Sequence, residues 1–187
     1  MGRWEPNARG RLEKAALELY AERGFDATTV AEIAARAGLT ERTFFRHFAD
    51  KREVLFGGAG ALEDRLVRGT SQAPADLGPV EAVAAALVDV ADDAFAERHG
   101  LAQQRQEIIA AHPELREREL IKLASLASAL AGALRERGVP GPAASLAAEA
   151  GIAVFKVSFE RWITDARPRP LPDLIRQSLA DLKAVTA

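Results

Sequence analysis

The sequence contains no cysteine among its 187 residues. Without thiols the chain cannot form disulfide bonds, thiolate zinc sites or cysteine nucleophiles, and we expect a reducing, cytoplasmic setting. Long apolar runs are also lacking. The stretch LASLASALAGAL is shorter than the roughly 18 residues of a membrane span, and the N-terminus has no apolar signal core. We therefore expect no membrane partner.

Patterns of catalytic and metal-binding residues are equally scarce. The three histidines, His47, His99 and His112, lie far apart in the chain, so the sequence predicts no metal site. No nucleophile motif, metal-ligand spacing or phosphate loop after a strand is present, and we expect neither catalysis nor a cofactor. The GGAG segment at 57–60 lies in a helical pattern and is no dinucleotide fingerprint.

Alternating strand patterns are nearly absent, whereas Ala, Leu, Glu and Arg recur every three or four residues. The sequence therefore predicts an all-α fold. The predicted helices are Arg9–Arg23, Val30–Ala37, Glu41–Phe48, a fourth that begins at Lys51, Pro79–Glu97, Leu101–Ala111, Pro113–Arg137, Pro142–Asp165 and Leu171–Thr186. The turn-rich segment 69–79 separates the first four helices from the rest.

Helix-capping residues mark the first short helices. Thr29 with Glu32 forms the pattern of a capping box at the second helix, and Thr40 caps the third. Asp50 is predicted to cap the fourth helix. Gly57, Gly58 and Gly60 would then lie inside that fourth helix, where they act either as a hinge or as sites of close packing.

Positive charge is concentrated near the N-terminus, although the whole chain has a net charge of −2. Residues 1–52 contain ten Lys/Arg and eight Asp/Glu, a balance of +2; the remainder, 15 against 19, is −4. Within 36–52 five basic residues face two acidic ones, a local charge of +3. A basic patch on an acidic protein is typical of a nucleic-acid-binding region.

The segment GLTERTFFRHF, residues 38–48, contains both arginines and phenylalanines. On a helix with about 100° per residue, Phe44 and Phe48 share one face, while Arg42 and Arg46 share the opposite face. The arginines either are simply solvated or bind an anionic partner. Because they follow a short capped helix and a Gly38-Leu39-Thr40 turn, we favour a helix-turn-helix whose second helix enters the DNA major groove.

The segment LYAERGFDATTVAEIAARAGLTERTFFRHFADKREVL, residues 19–55, resembles the TetR family of transcriptional regulators. The resemblance implies a three-helix DNA-binding domain, residues 1–52, and a helical ligand-binding and dimerisation domain, residues 53–187, without catalysis. Residues 105–134 are similar to the C-terminal domain of the mycofactocin-regulator branch, which implies an acyl-CoA-like ligand.

Carried onto this sequence, the resemblance implies that Thr40, Arg42, Thr43, Arg46 and His47 face DNA and that Lys51 binds a phosphate. Phe45 stands where the family usually has tyrosine, so the contact loses a hydroxyl hydrogen bond to a phosphate. The complete predicted DNA-binding set is Thr29, Thr40, Arg42, Thr43, Phe45, Arg46, His47 and Lys51.

The helix predicted at 142–165 is apolar on two opposite faces, which indicates burial on both. One stripe contains small and aliphatic residues, Leu146, Ala150, Ala153 and Val157; the other is Ile152, Phe155, Phe159 and Trp162. Spacing leaves open which face dimerises. With 171–186 this helix could form half of an intermolecular four-helix bundle, as the resemblance implies.

Candidate ligand-binding residues in the C-terminal half are Phe95, Arg105, His112, Phe155, Phe159 and Trp162; core packing explains the aromatic members equally well. We expect a homodimeric repressor that a small, apolar or acyl-CoA-like effector releases from a palindromic double-stranded DNA operator. An enzyme and a helical adaptor that binds protein are the competing hypotheses.

Overall fold

The computed structural model describes residues 7–165 and 169–186, and within them every regular element is helical. The all-α prediction is therefore confirmed. The helices are α1 Ala8–Arg23, α2 Val30–Arg36, α3 Glu41–His47, α4 Ala59–Ser71, α5 Pro79–Ala94, α6 His99–Ala111, α7 Pro113–Glu136, α8 Gly141–Thr164 and α9 Leu171–Thr186, with a 3₁₀ turn at Glu53–Phe56 before α4.

The predicted caps of α2 and α3 are confirmed. The Thr29 side chain accepts from the Glu32 N–H, and the Glu32 carboxylate accepts from the Thr29 N–H, which completes a capping box. Thr40 accepts from the Thr43 N–H at 3.2 Å. These bonds satisfy amide groups that would otherwise be unpaired at a helix start.

The prediction of a continuous fourth helix from Lys51 is wrong. Asp50 does accept from the N–H groups of Arg52 and Glu53, at 2.8 and 3.0 Å. The chain then forms only the 3₁₀ turn Glu53–Phe56, and α4 begins at Ala59. Two adjacent glycines at 57–58 disfavour continuation of the helix. The three apolar side chains of the turn, Val54, Leu55 and Phe56, are all buried.

Contacts divide the chain into two compact units. The first contains Met1–Gly58 and Gln104–Arg116, and the second contains Ala59–Gln103 and Glu117–Ala187. This grouping differs from the predicted boundary between residues 52 and 53. Ile109 and Leu115 are fully buried in the same core as the 3₁₀ turn and α1–α3, and so the later segment joins the first unit.

The first unit is built around α1, against which α2 and α3 pack. Gly38 joins α2 to α3 with a φ of 65°, a left-handed conformation that favours glycine. The Leu39 N–H donates to the Ala34 carbonyl at 2.8 Å and closes the turn. The core of the first unit contains, among others, Leu12, Ala16, Leu19, Tyr20, Phe25, Ile33, Phe44 and Phe48. This core buries the apolar side of α3, and the opposite side of the helix is exposed.

In the second unit, α5 packs against α4, α8 and α9. Gly151 of α8 lies so close to α5 that an added Cβ would be 2.4 Å from Val83 Cγ1. The absent side chain therefore permits the close approach of these helices. By length and composition α8 is also apolar enough to cross a membrane, but core helices meet the same criterion, and eight of its residues are buried.

Candidate nucleic-acid interface and ligand pocket

The short helix α3 separates an apolar side from a cationic side. Phe44 is completely buried and contacts Phe48, with ring centroids 5.5 Å apart. Arg42 and Arg46 are exposed on the other side. This arrangement anchors the helix through its phenylalanines and presents two guanidinium groups to solvent, as the helical wheel predicted.

Neither Arg42 nor Arg46 has a hydrogen-bond or ion-pair partner in the part of the chain that the structure describes. Neighbouring arginines differ in this respect. Arg36 of α2 binds Glu22 with a closest N–O distance of 2.7 Å, and Arg23 binds Glu32 at 2.8 Å. The acidic residues thus neutralise the cations beside α2, while the positive charge of α3 remains available to an anionic partner.

The pKa values of the acidic residues beside α2 reflect these contacts. A hydrogen bond from Arg36 lowers the pKa of Glu22 below its usual value. The pKa of Glu32 is lowered first by the backbone and side-chain hydrogen bonds of Thr29, and further by the nearby Arg23. Both carboxylates are therefore ionised at neutral pH. Thr29, a predicted DNA-binding residue, has its hydroxyl and amide engaged in the capping box.

Three further predicted DNA-binding residues line the exposed side of α3. The hydroxyl groups of Thr40 and Thr43 lie 3.1 Å apart, and either can act as the donor. Phe45 is 54% exposed although it contacts the edge of Phe44 at 5.5 Å between centroids. An apolar ring this exposed at the cationic side suits contact with a sugar or a thymine methyl.

His47 is oriented differently from the arginines. Its ring centroid lies 6.4 Å from that of Phe48, and its Nε2 is buried without a hydrogen-bond partner among the described residues. A phosphate contact through Nε2 therefore requires the ring to rotate. The predicted contact stays a prediction.

Lys51 makes contacts that the sequence did not predict. Its ammonium donates to the carbonyl oxygens of Phe25, Asp26 and Thr28, at 2.8, 3.1 and 3.0 Å. Three carbonyls use all three ammonium hydrogens. Lys51 also precedes the 3₁₀ turn and does not occupy a helical first turn, so its expected position was wrong. Its phosphate-binding role stays a prediction, and no local sequence signal indicates the carbonyl cluster.

Tyr20 binds the backbone of Lys51. Its hydroxyl donates to the Lys51 carbonyl at 2.7 Å, and burial raises the pKa of this phenol far above its ordinary value. The phenol is therefore protonated at neutral pH and able to donate. The connection between α3 and the 3₁₀ turn is thus fixed from both sides, by a hydroxyl and by an ammonium.

Four of the predicted ligand residues come together in the second unit. We call Phe95, Phe155, Phe159 and Trp162 the aromatic cluster. Phe159 lies 6.0 Å from Phe95, 5.6 Å from Phe155 and 5.7 Å from Trp162, as centroid distances. Phe95 and Trp162 meet edge to face at 5.8 Å. Phe95, directly after α5, and three residues of α8 thus form one continuous group of aromatic rings.

A cavity of about 20 Å³ adjoins this cluster. Its lining is apolar: Leu62, Leu66, Leu87, Val90, Ala91, Phe95, Leu126 and Phe155. A space of this size admits about one water molecule but offers it no polar partner. The helices α4, α5, α7 and α8 therefore enclose a small apolar cavity with aromatic rings on one side.

Arg105 and His112 belong to the first unit instead. Arg105 Nε donates to the Leu55 carbonyl at 2.6 Å, and its guanidinium lies 5.1 Å from the Phe56 ring centroid. His112 Nδ1 lies 2.8 Å from the Ile108 carbonyl, and its ring packs against Phe25 at 5.0 Å. The structure therefore brings together four of the six predicted ligand residues. The other two, Arg105 and His112, make their contacts within the first unit.

Sequence reasoning missed two features of the second unit. His99 Nε2 lies 2.9 Å from the Trp162 carbonyl, and its ring meets the Trp162 ring edge to face at 4.9 Å. The aliphatic lining of the cavity was also missed. Leucines at helical spacing occur throughout the chain, so the sequence has no signal that separates a cavity wall from ordinary core.

The two faces of α8 can now be assigned. Ile152 and Trp162 are buried, and Phe155 and Phe159 pack on the core of the second unit. On the opposite side Leu146 is 72% exposed and Val157 is 51% exposed. We call Leu146, Ala150, Ala153 and Val157 the α8 outer stripe. The aromatic stripe faces inward, which leaves the outer stripe available to a partner.

Comparison with known sequence families covers most of the chain. The family described as "Bacterial regulatory proteins, tetR family" matches residues 12–56, and the "MftR C-terminal domain" matches residues 77–187. The regulator TcmR of Streptomyces glaucescens is 37% identical over 79 residues, which cover 42% of this chain and 35% of TcmR. The chain thus spans about a third of the length of this curated relative.

Solved structures resemble the whole fold. SmeT, a Stenotrophomonas maltophilia repressor, in complex with triclosan has a TM-score of 0.64 at 21% identity, covering 93% of this chain and 90% of that one. Thermus thermophilus FadR, a repressor in complex with lauroyl-CoA, has a TM-score of 0.56 at 26% identity, covering 93% and 92%. Taken with the helix-turn-helix and the matched C-terminal domain, these likenesses mean that the chain belongs to the TetR family of bacterial transcriptional regulators, with an MftR-type C-terminal domain.

Proposed function

We propose that the protein is a homodimeric repressor that a small, apolar effector releases from a palindromic DNA operator. The observation that carries the DNA-binding part is the pair of exposed arginines on α3. They lie four residues apart on the side opposite the buried Phe44, and no described residue pairs with them. Two like charges at this spacing repel each other slightly, and phosphates or guanine edges would relieve that repulsion.

In the proposed complex α3 enters the major groove. Arg42 and Arg46 contact base edges or phosphates, Thr40 and Thr43 offer hydroxyl groups, and Phe45 offers an apolar contact. For a two-fold dimer the operator is an inverted repeat, with half-sites about 34–36 Å apart or at a related spacing.

The α8 outer stripe supports the proposed homodimer. Leu146 and Val157 are large apolar side chains exposed on a helix whose inner face is already covered. A second copy of the same helix would bury this stripe in an isologous interface. α9 follows α8 and packs against it, so two copies could form a four-helix bundle.

The lining of the cavity supports an apolar effector. Aliphatic residues from α4, α5 and α7, with the rings of Phe95 and Phe155, favour a chain or ring without charge at its inner end. The lauroyl-CoA complex of Thermus thermophilus FadR is consistent with an acyl chain. The cavity of about 20 Å³ has to widen for such a molecule, so the effector would displace the surrounding helices.

We further propose a cytoplasmic protein without catalytic activity. Effector binding and DNA binding account for the two sites without any reaction. The side chains that line the cavity offer no acid, base or nucleophile to a molecule bound there. An adaptor that binds only protein is the other alternative, and it makes no use of unpaired arginines on α3.

The test is a gel-shift titration at several salt concentrations, with DNA that flanks the protein's own gene and with random DNA. A repressor binds the flanking DNA more tightly, and its affinity falls steeply with salt because phosphate contacts release counterions. Footprinting then locates an inverted repeat. An adaptor shows no salt-dependent shift on either DNA, which would contradict the proposal.

A further inference from the structure

Thr70 is a completely buried residue of α4 in the second unit. Its Oγ1 has no hydrogen-bond partner among the described residues. A buried hydroxyl without a partner weakens the fold, because the group has lost its water and gained nothing in exchange. Buried polar groups of this kind are uncommon, and each one calls for an explanation. Valine, nearly identical in shape, would fill the same space without that penalty.

Thr70 lies on the same face of α4 as two residues that line the cavity. Leu62, Leu66 and Thr70 are spaced four residues apart, so they follow one another along a single face. With a rise of 1.5 Å per residue, Thr70 lies about 6 Å beyond Leu66 and about 12 Å beyond Leu62. Thr70 does not line the cavity of about 20 Å³ itself, but it is the next residue of this face, one turn beyond the lining residue Leu66.

At the Thr70 end of this face, α4 and α5 lie in close contact. A Cβ added to Gly69 would lie 3.0 Å from the Cβ of Ala86 on α5, so α4 and α5 nearly touch there. Beyond α4, the guanidinium of Arg137 donates to the carbonyl oxygens of Ser71, Ala73 and Pro74. The aromatic cluster borders the opposite end. A widened cavity would thus be closed at Thr70 and bordered by rings at Phe95 and Phe155.

We infer that Thr70 is a specificity-determining residue, and that the effector is an elongated apolar molecule with a hydroxyl or carbonyl group at its inner end. The inference rests on the proposed ligand-binding function and adds the chemistry of the buried terminus. An unsubstituted alkyl end would fill the apolar part but leave the Thr70 hydroxyl unpaired. A terminal hydroxyl or carbonyl would pair with it once the cavity had widened by one helical turn.

Decanoic acid and ω-hydroxydecanoic acid test the inference, because they differ only in the terminal hydroxyl. Binding is measured by isothermal titration and by the rise in melting temperature of the full chain. For the wild-type protein we expect about tenfold tighter binding of the ω-hydroxy acid. In Thr70→Val we expect that preference to vanish, and in Thr70→Ser, which retains the hydroxyl, we expect it to remain.

Without any ligand, Thr70→Val should raise the melting temperature by roughly 2 °C or more, since it removes an unpaired buried hydroxyl. Ser178 on α9 provides the matched control. It is 5% exposed and its Oγ also lacks a partner among the described residues. Ser178→Ala should likewise raise the melting temperature but leave the preference for the ω-hydroxy acid unchanged.

Three results would overturn the inference: equal binding of both acids to the wild-type protein, an undiminished preference in Thr70→Val, or no binding of either acid. No stabilisation by Thr70→Val would mean that the hydroxyl already has a hydrogen-bond partner in the folded protein, which also overturns the inference. The operator gel shift on the same preparations separates this failure from that of the proposed function, because a repressor with another effector still binds its operator.

Discussion

The ammonium of Lys51 lies 2.8 Å from the carbonyl oxygen of Phe25 and 4.5 Å from the centroid of the same residue's ring. One cation thus binds both the backbone and the side chain of Phe25, the second residue after α1. It also binds two further carbonyls of the α1–α2 connection. These contacts connect the segment after α3 to the α1–α2 connection. We therefore expect Lys51 to stabilise the fold, whereas a phosphate-binding lysine would act on DNA affinity.

Replacing Lys51 tests that difference. Lys51→Met keeps most of the apolar stem but loses the three hydrogen bonds, so we expect the unfolding free energy to fall by about 2 kcal/mol or more. Arg52→Met removes the same charge from the neighbouring exposed position and should leave stability nearly unchanged. Urea unfolding measures both. If Lys51→Met retains full stability but reduces the salt dependence of DNA binding by about one counterion, Lys51 is a phosphate ligand after all.

Arg42→Ala and Arg46→Ala should weaken operator binding without weakening the fold. Each loses contacts in the complex that we expect to contribute about 1–3 kcal/mol, and base preference relaxes if the arginines read guanine edges. Because neither arginine pairs with a described residue, the melting temperature should not fall. Arg135→Ala, exposed in the second unit, is the control for net charge. Equal losses on operator and random DNA would exclude a role in base readout.

The glycines before and within α4 should respond differently to alanine. A methyl at Gly57 would lie 2.3 Å from Glu13 Oε1 and 2.9 Å from Phe48 Cε1, so we expect Gly57→Ala to destabilise the protein by about 1–2 kcal/mol. Gly58 and Gly60 have open space there, and alanine should be neutral or slightly stabilising. Thermal unfolding of the three variants decides. If Gly57→Ala stabilises the protein, the packing role is contradicted and a hinge role is favoured for this segment.

Acid should weaken the α2 capping box. Because its folded-state pKa lies below the ordinary value of 4.5, ionised Glu32 contributes stability above that pH, and this contribution is lost as the pH falls through the folded pKa. Glu32→Gln should therefore lower the melting temperature at pH 7, and the difference from the wild-type protein should shrink below about pH 4.5.

Glu41→Gln, in the first turn of α3, is the comparison for the acid experiment. It removes one carboxylate from the same unit without disturbing the Thr29 capping box. A difference between Glu32→Gln and the wild-type protein that stays constant from pH 7 to pH 3 would mean that the charge of Glu32 does not stabilise the box.

The α8 outer stripe predicts where the dimer can be broken. Val157→Asp places a charge on a residue that is 51% exposed, so we expect sedimentation to detect monomers at concentrations at which the wild-type protein is dimeric. Phe155→Asp places the charge against the core of the second unit, so it should lower the melting temperature instead. If Val157→Asp remains dimeric and folded, the dimer uses another surface.

Local sequence patterns were sufficient to predict where α2 and α3 begin. The Thr29–Glu32 pair, Thr40 and Gly38 act within one turn of the chain, so their spacing alone determines where α2 and α3 begin and how they are joined. The same holds for the two sides of α3, because a helix of known period directs Phe44 and Arg42 apart whatever surrounds it. The TetR resemblance rests on these same residues.

Contacts between distant residues decided what the local patterns could not. Lys51 meets the carbonyls near Phe25 across more than twenty residues of chain, and Arg105 reaches Leu55 across fifty. The inward face of α8 and the cavity beside Leu66 likewise depend on which helices pack together. An apolar stripe records only that a face is buried, because the hydrophobic effect is not directional; the partner that buries it is chosen by packing in three dimensions.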